Sequence, residues 1–227
     1  MVFEHVKEFN LGYDDLIAET GDKGRIYKDP EGNNYPSITT VLSILSEDSI
    51  RAWRARVGEE EANKISTRAS RRGTAVHLII EKYIDNVENF KDEFTPDVIG
   101  SFLSVRDILD DRIGRVYAQE APLYSKHLGV AGRVDCVAEF DGKLSIIDFK
   151  TSRKLKKKEW IENYFIQETA YAIMWEERTG IPITQLVTLI SVDNEEPQVF
   201  IEHRDNWDKK LIETINEWKR RKLFGHV

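Results

Sequence analysis

Hydrophobic and polar residues alternate with a period of two in the middle of the chain, which predicts three consecutive β-strands. These strands cover about residues 115–124, 130–140 and 143–150. A helical period follows over about 159–178 and ends at Gly180, because glycine closes a helix and Pro182 cannot continue it. The predicted C-terminal half is completed by two strands near 184–192 and 197–203 and an amphipathic helix from about Asn206 to Arg221.

The N-terminal half has a different pattern, in which helical spacing dominates. Residues 1–23 are polar and weakly patterned, which predicts an extension, and Arg25 to Tyr35 fits a small hairpin that turns at Pro30-Glu31-Gly32. Helices are predicted from Ser46 to about Arg68, from Gly73 to about Ile84, and from Pro96 to about Arg112.

The order of these elements is helices, three strands, a helix, two strands and a final helix. This order predicts an α/β fold with a mixed central β-sheet flanked by helices and a helical N-terminal arm. We expect a single domain over residues 1–227, divided into an extension and hairpin (1–34), a helical arm (35–114) and an α/β core (115–227).

Composition narrows the class of protein. The 227 residues are 41% hydrophobic and 32% charged, which is typical of a soluble globular domain. No apolar run reaches the roughly 18 residues that a membrane span needs. Cys136 is the single cysteine, which excludes an intrachain disulfide and any cysteine-built zinc or iron–sulfur site. The first residues resemble neither a signal peptide nor a transit peptide, so we expect a cytoplasmic protein, bacterial or from a phage-infected host.

The charge distribution is more informative than the net charge. The formal net charge of -7 argues mildly against a nucleic-acid partner. Basic residues nevertheless cluster in three segments: Arg51, Arg54, Arg56, Lys64, Arg68, Arg71 and Arg72; Arg153, Lys154, Lys156, Lys157 and Lys158; and Lys219, Arg220, Arg221 and Lys222. Each cluster is either a solvated surface or a place where phosphates bind.

The segment from Gly132 to Lys150 carries the strongest local signal. Asp141-Gly142 lies between two β-rich runs, and this pair favours a two-residue type I′ turn. If Phe140 faces Lys143, opposed residues have numbers that sum to 283. Asp135 then lies opposite Asp148 and Arg133 opposite Lys150, and the side chains of Asp135, Asp148 and Lys150 share one face.

Two opposed carboxylates on a partly covered sheet face repel each other, unless a divalent cation lies between them. Opposed Cβ atoms are roughly 4.5–5.5 Å apart, which is close enough for both acids to bind one ion. Val137 and Ile146 lie on the same predicted face, which indicates that it is covered. The alternative is a solvated face on which Lys150 is the counter-ion. We interpret Asp135 and Asp148 as metal ligands.

Asp135, followed after a gap by Ile147-Asp148-Phe149-Lys150, resembles the signature of the PD-(D/E)XK nuclease superfamily. The chain most resembles the RecB-type branch, and within it the mitochondrial genome maintenance exonucleases and their phage relatives. Other matching pieces, in order, are Tyr35-Pro36-Ser37-Ile38-Thr39-Thr40 with Trp53, Arg72-Gly73-Thr74-Ala75-Val76-His77, Glu120, Asp148-Phe149-Lys150-Thr151-Ser152, and Gln167 with Tyr171. The resemblance implies a restriction-endonuclease-like fold.

The resemblance also implies roles for these residues. Asp135 and Asp148 bind Mg²⁺, which Mn²⁺ can replace, with the main-chain carbonyl of Phe149, and Lys150 assists catalysis. His77 reaches the metal or a phosphate, although on its own it would be read as a packed helix histidine. Glu120 is a third metal acid or an outer-shell group. Further expected residues are Gln167 and Tyr171, which would hold a phosphate or a water, and Thr151, Ser152, Arg153, Lys154, Arg72 and Trp53, which would bind nucleic acid.

Residue-level reasoning alone leads to a metal-dependent phosphoesterase acting on a polyanion. The resemblance favours a Mg²⁺-dependent DNA exonuclease acting on single-stranded ends, in DNA repair or recombination. A structure-specific or restriction-like endonuclease stays open, as does a nucleic-acid-binding recombination subunit with a vestigial site. We expect a monomer whose partners are DNA and possible replication or recombination proteins. We also expect the arm from Ser46 to His77 to cover the site.

Overall fold

A computed structural model describes residues 2–7, 10–22 and 24–225. The strands are β1 (Ile17–Gly21), β2 (Gly24–Lys28), β3 (Asn34–Pro36), β4 (Ile113–Ser125), β5 (Val130–Phe140), β6 (Lys143–Ser152), β7 (Gln185–Val192) and β8 (Gln198–His203). The helices are α1 (Ile38–Leu42), α2 (Glu47–Val57), α3 (Glu59–Ile84), α4 (Pro96–Arg112), α5 (Glu162–Thr179) and α6 (Asp208–Leu223).

A five-stranded sheet in the order β4-β5-β6-β7-β8 organises the molecule. Neighbouring strands are antiparallel except β6 and β7, which are parallel. The parallel pair follows from the chain path, because α5 carries the chain back across the sheet between the two strands. The predicted α/β fold with a mixed central sheet is confirmed. A separate three-stranded antiparallel sheet, β1-β2-β3, contains the predicted hairpin.

Both faces of the large sheet are covered by helices. Val137 and Ile146 pack with residues of α1, α5 and α6, including the fully buried Trp175. Cys136 and Ile147, whose side chains alternate with these, pack instead with α3 and α4. The predicted alternation of side chains therefore holds for these positions of β5 and β6, and neither face of the pair is open to solvent.

The N-terminal helices differ from the prediction in where they break. Gly58 separates α2 from α3, since its φ of 86° is a conformation that only glycine adopts readily. The chain then continues as one helix to Ile84, through Gly73, which the sequence suggested as the start of a new helix. The predicted helices from Ser46 to Arg68 and from Gly73 to Ile84 are thus wrong in their boundaries. The continuous α3 therefore joins a mostly exposed N-terminal half to a C-terminal half that packs in the core.

Two short elements were not predicted. β1 lies in the segment expected to be a weakly patterned extension, and all five of its residues are exposed. It pairs with β2 through backbone hydrogen bonds, and such pairing leaves no periodic apolar signal in the sequence. Helix α1 begins at Ser37, whose hydroxyl accepts from the backbone N–H of Thr40, and its Ile38 and Val41 are fully buried.

Candidate active site

The site lies where β5 and β6 separate. The turn at Asp141-Gly142 has positive φ at both residues, and the register follows the predicted sum of 283 from Phe140–Lys143 to Cys136–Ile147. The ladder stops there, one step before the two acids. Beyond it β5 pairs only with β4, and β6 only with β7.

This separation corrects one detail of the prediction. Asp135 and Asp148 are not a paired rung of the ladder, and Arg133, expected opposite Lys150, is paired with Pro122 of β4. The Asp135 carboxylate instead accepts a hydrogen bond of 2.9 Å from the backbone N–H of Phe149. Within an extended strand the N–H and C=O of one residue point to the same side, so the Phe149 carbonyl also faces the gap.

Three candidate metal ligands converge on the β5 side of this gap. One ligand atom each from His77, Glu120 and Asp135 lies within 4.8 Å of the others. His77 Nδ1 is 3.4 Å from Asp135 Oδ2 and comes from α3, which packs against one face of the sheet. Glu120 has a positive φ of 46° in the middle of β4, a strained conformation for a residue with a side chain. The three groups come from three separate elements.

The electrostatics of this cluster favour a cation. Burial raises the pKa of Glu120 to about 7, and the nearby Asp135 and Glu81 carboxylates add to the shift. Burial likewise raises the pKa of Glu81, with Asp85 contributing. Carboxylates that resist ionisation in one half-buried place are relieved when a divalent cation binds between them. The donor set of two carboxylates and an imidazole therefore fits a divalent metal ion.

Asp148 occupies the other side of the gap and has different partners. Its side chain is 1% exposed, and Oδ2 forms an ion pair with Lys150 Nζ. Burial raises the pKa of Asp148 to about 6, with Lys150 opposing the shift and Asp135 adding to it. For Lys150, burial lowers the pKa, but the charges of Asp148 and Asp135 outweigh it and leave it above its ordinary value. The structure thus brings the predicted acid and lysine into direct contact.

Helix α5 contributes side chains that contact or support Asp148. Gln167 Nε2 lies 3.5 Å from Asp148 Oδ1 and donates to the Tyr171 hydroxyl at 3.2 Å. Tyr171 is buried against the backbone of Gly132, where an added Cβ would lie 2.7 Å from its ring. The predicted face formed by Gln167 and Tyr171 therefore reaches the second acid directly.

Sequence reasoning missed Glu168, the residue next to Gln167. Its side chain is fully buried, and Thr188 of β7 donates a hydrogen bond to it. Burial raises the pKa of Glu168 well above its usual range, and the Asp148 charge adds to the shift. The available signal was a charged residue inside the apolar run of α5.

The predicted nucleic-acid-binding residues divide into two groups. Thr151, Ser152, Arg153 and Arg72 line a groove of about 1730 Å³ between α3, α4 and the segments that follow β6 and β7. Lys154 follows these residues, and its carbonyl accepts from the Ser152 hydroxyl. Trp53 lies half-buried on α2 and does not line this groove.

Comparison with known proteins gives the family. A family model described as the PD-(D/E)XK nuclease superfamily matches residues 47–224, which include both strands of the gap, α3 and α5. The chain belongs to the PD-(D/E)XK nuclease superfamily. The resemblance drawn from its motifs is confirmed, and a nuclease function follows from the family.

Curated relatives and a solved structure give further similarity. Mitochondrial genome maintenance exonuclease 1 of Homo sapiens is 31% identical over 146 residues, and that of Mus musculus is 31% identical over 132 residues. These matches cover 60% and 55% of this chain but only 40% and 39% of the relatives. A crystal structure of a proposed exonuclease from Eubacterium rectale is 15% identical, covers 69% of each chain and has a TM-score of 0.45.

Across residues 2–7, 10–22 and 24–225, no helix combines the length and apolar character that crossing a bilayer requires.

Proposed function

We propose that this nuclease is a Mg²⁺-dependent exonuclease that hydrolyses DNA phosphodiester bonds from single-stranded ends. The observation that carries the proposal is the gap between β5 and β6. Asp135, Glu120 and His77 converge on one side of it, and the Asp148–Lys150 pair occupies the other. The similarity to the curated exonucleases, although it covers less than half of their length, supports the same activity.

Asp135, Glu120 and His77 are the residues that would hold the cation, with Asp148 and the Phe149 carbonyl facing the same gap. A divalent ion in this position supplies charge that neutralises the phosphate and lowers the pKa of the attacking water. Mg²⁺ suits the carboxylate oxygens, and we expect Mn²⁺ to replace it because Mn²⁺ accepts oxygen and imidazole ligands alike.

The direction of the Lys150 pKa selects among the roles open to this residue. Against the effect of burial, the charges of Asp148 and Asp135 raise the pKa of Lys150, which favours a charged ammonium group over a proton acceptor. Its ammonium group, fixed by Asp148, is suited to stabilise the negative charge that develops on the phosphate. Gln167 orients Asp148, and Tyr171 orients Gln167 in turn.

Dependence on a free end is supported by α3. This helix carries the basic residues Lys64, Arg68, Arg71 and Arg72 and continues without a break to His77 in the candidate site. A basic helix that leads to a sheet-borne site, and contributes His77 to it, favours binding of a flexible single strand that threads along it over docking of a duplex. Threading requires an end.

Matched linear and circular single-stranded DNA of the same sequence test the proposal. We expect Mg²⁺-dependent degradation of the linear strand, none in EDTA, and resistance of the circle. Equal degradation of both would contradict the exonuclease and favour an endonuclease. Binding of both strands without hydrolysis in Mg²⁺ or Mn²⁺ would instead identify a DNA-binding subunit with an inactive site.

A further inference from the structure

Asp193 lies in the groove among basic side chains. It follows β7, and its Oδ2 accepts a hydrogen bond of 2.8 Å from Arg72 Nη1, with Arg72 Nη2 on its other oxygen. This guanidinium hydrogen bond lowers the pKa of Asp193, and the charges of Arg153 and Arg68 contribute to the same shift. Arg72 thus contacts the Asp193 carboxylate directly, and Arg68 and Arg153 line the same groove.

The position of Arg72 does not depend on Asp193 alone. Arg72 Nη2 also donates to the Ser101 hydroxyl of α4 at 2.8 Å, and Ser101 is buried. The backbone N–H of Asp193 donates to the Ser152 carbonyl at 2.9 Å, and this hydrogen bond connects the segment after β7 to the end of β6. Side-chain exposures of 23% for Arg72 and 27% for Asp193 leave the pair open to the groove.

A carboxylate and a phosphate make the same two-pronged contact with a guanidinium group. Asp193 thus occupies the place that a phosphate of a bound strand would take. Arg68 lies one helical turn before Arg72 on the same face of α3, and Arg153 directly follows β6, which ends at Ser152. Two of the arginines thus lie on α3 and the third directly after β6, and both of these elements contribute residues to the candidate active site.

We propose that Arg68, Arg72 and Arg153 form a phosphate subsite for single-stranded nucleic acid, and that Asp193 fills it in the free chain. A phosphodiester of the bound strand replaces the Asp193 carboxylate, while Ser101 keeps Arg72 oriented. The inference rests on the proposed function. It identifies where the nucleic-acid strand is bound next to the phosphate that is hydrolysed. The same exchange makes Asp193 a competitor that weakens binding.

Equilibrium binding of a labelled single strand, measured by fluorescence anisotropy in EDTA over a range of salt concentrations, tests this exchange. We expect Asp193→Asn to tighten binding by about threefold, because it removes a competing charge of the size that an exposed ion pair contributes. Arg72→Gln should weaken binding and make the slope of log K against log salt shallower by about 0.7, which corresponds to one lost phosphate contact. In the double variant the gain from Asp193→Asn should disappear.

The controls separate the exchange from general charge effects and from misfolding. Glu196→Gln removes the same charge at an exposed position of the groove, and we expect it to change affinity by less than half as much as Asp193→Asn. Arg68 is exposed, so Arg68→Gln should fold normally and still weaken binding by about threefold. Thermal unfolding of each variant by circular dichroism identifies any that lose structure.

Three results would overturn the inference. The first is unchanged or weaker binding by a folded Asp193→Asn variant, as expected if the Arg72–Asp193 pair only holds α3 in place. The second is a full gain in the double variant. The third is normal binding by Arg68→Gln. If the unaltered chain hydrolyses single strands but these results appear, only the phosphate subsite fails, whereas a chain that neither binds nor cleaves DNA refutes the proposed function as well.

Discussion

Gly132 offers a steric test of the link between α5 and the candidate site. A Cβ at this position would lie 2.7 Å from Tyr171 Cε1, 3.0 Å from the Tyr171 hydroxyl and 3.3 Å from Ile38 Cγ2. Ordinary contact begins at 3.4 Å, so the buried Tyr171 ring must move by about 0.7 Å to accept an alanine. Gly132 has no positive φ, so the substitution introduces no backbone strain.

We therefore expect Gly132→Ala to lower both stability and activity. Overpacking of a core typically costs about 1–3 kcal/mol, and in a chain of this size each kcal/mol lowers Tm by about 2–4 °C. Movement of Tyr171 shifts Gln167 and, through it, the orientation of Asp148. A displacement of about 1 Å at a reacting group can cost about a hundredfold, so kcat should fall by about ten- to a hundredfold.

The assay combines thermal unfolding with Mg²⁺-dependent hydrolysis of a labelled linear strand. Gly21→Ala is the matched control, because an added Cβ there meets nothing within 4 Å and φ is again not positive. Adding Tyr171→Leu to Gly132→Ala should restore part of the lost stability, since it removes the ring, but should not restore kcat. Wild-type Tm and kcat in Gly132→Ala would refute the reasoning.

Other predictions concern the charged groups of the site. Asp148→Asn should abolish hydrolysis while DNA binding persists, and near-normal turnover in Mg²⁺ would reject the assignment. Ca²⁺ should support binding without efficient cleavage, because its coordination is looser and it acidifies water less; cleavage at the Mg²⁺ rate would count against water activation. In EDTA, Tm should rise as pH falls from about 7.5 to about 5.5. The reason is that the folded-state pKa values of about 7 for Glu120 and about 6 for Asp148 lie above their unfolded values, so the folded chain binds more protons in this window. If Tm instead fell as the pH was lowered over this range, these carboxyls would be ionised in the folded chain. Lys150→Met should lower kcat by at least a hundredfold with little change in single-strand affinity, measured by comparing single-turnover rates with anisotropy titrations.

The parts of the fold that follow from short-range rules were predictable. The Asp141-Gly142 turn sets the register of β5 and β6, and side-chain alternation then places both acids near each other. The end of α5 at Gly180, in a left-handed conformation, follows from glycine alone. These features need no information from distant segments of the chain.

Features that depend on distant segments were not predictable in the same way. The uninterrupted course of α3 through Gly73 reflects packing of the residues beyond it against the sheet, which overrides the weak helix preference of glycine. Glu168 and Asp193 have partners 20 and 121 residues away, so no local pattern marks them. The turn and the alternation of side chains were enough to bring Asp135, Asp148 and Lys150 to one face, but the hydrogen bond from the Phe149 N–H to Asp135 was evident only from the fold.

The end of the β5–β6 ladder gives the candidate site two carboxylates that are buried and still free to bind a cation. Where two strands separate inside a sheet, the backbone groups facing the gap lose their ladder partners and need others. At Phe149 the N–H is taken by the Asp135 carboxylate, which fixes that acid without using both of its oxygens. On the opposite edge Lys150 fixes Asp148 in the same manner. The Phe149 N–H thus fixes Asp135, while Lys150 and Gln167 contact the two oxygens of Asp148, and the sheet itself keeps the two carboxylates close although they repel each other. The repulsion between the two carboxylates lowers the stability of the folded chain until a cation binds. We therefore expect Mg²⁺ to raise Tm as well as to support hydrolysis.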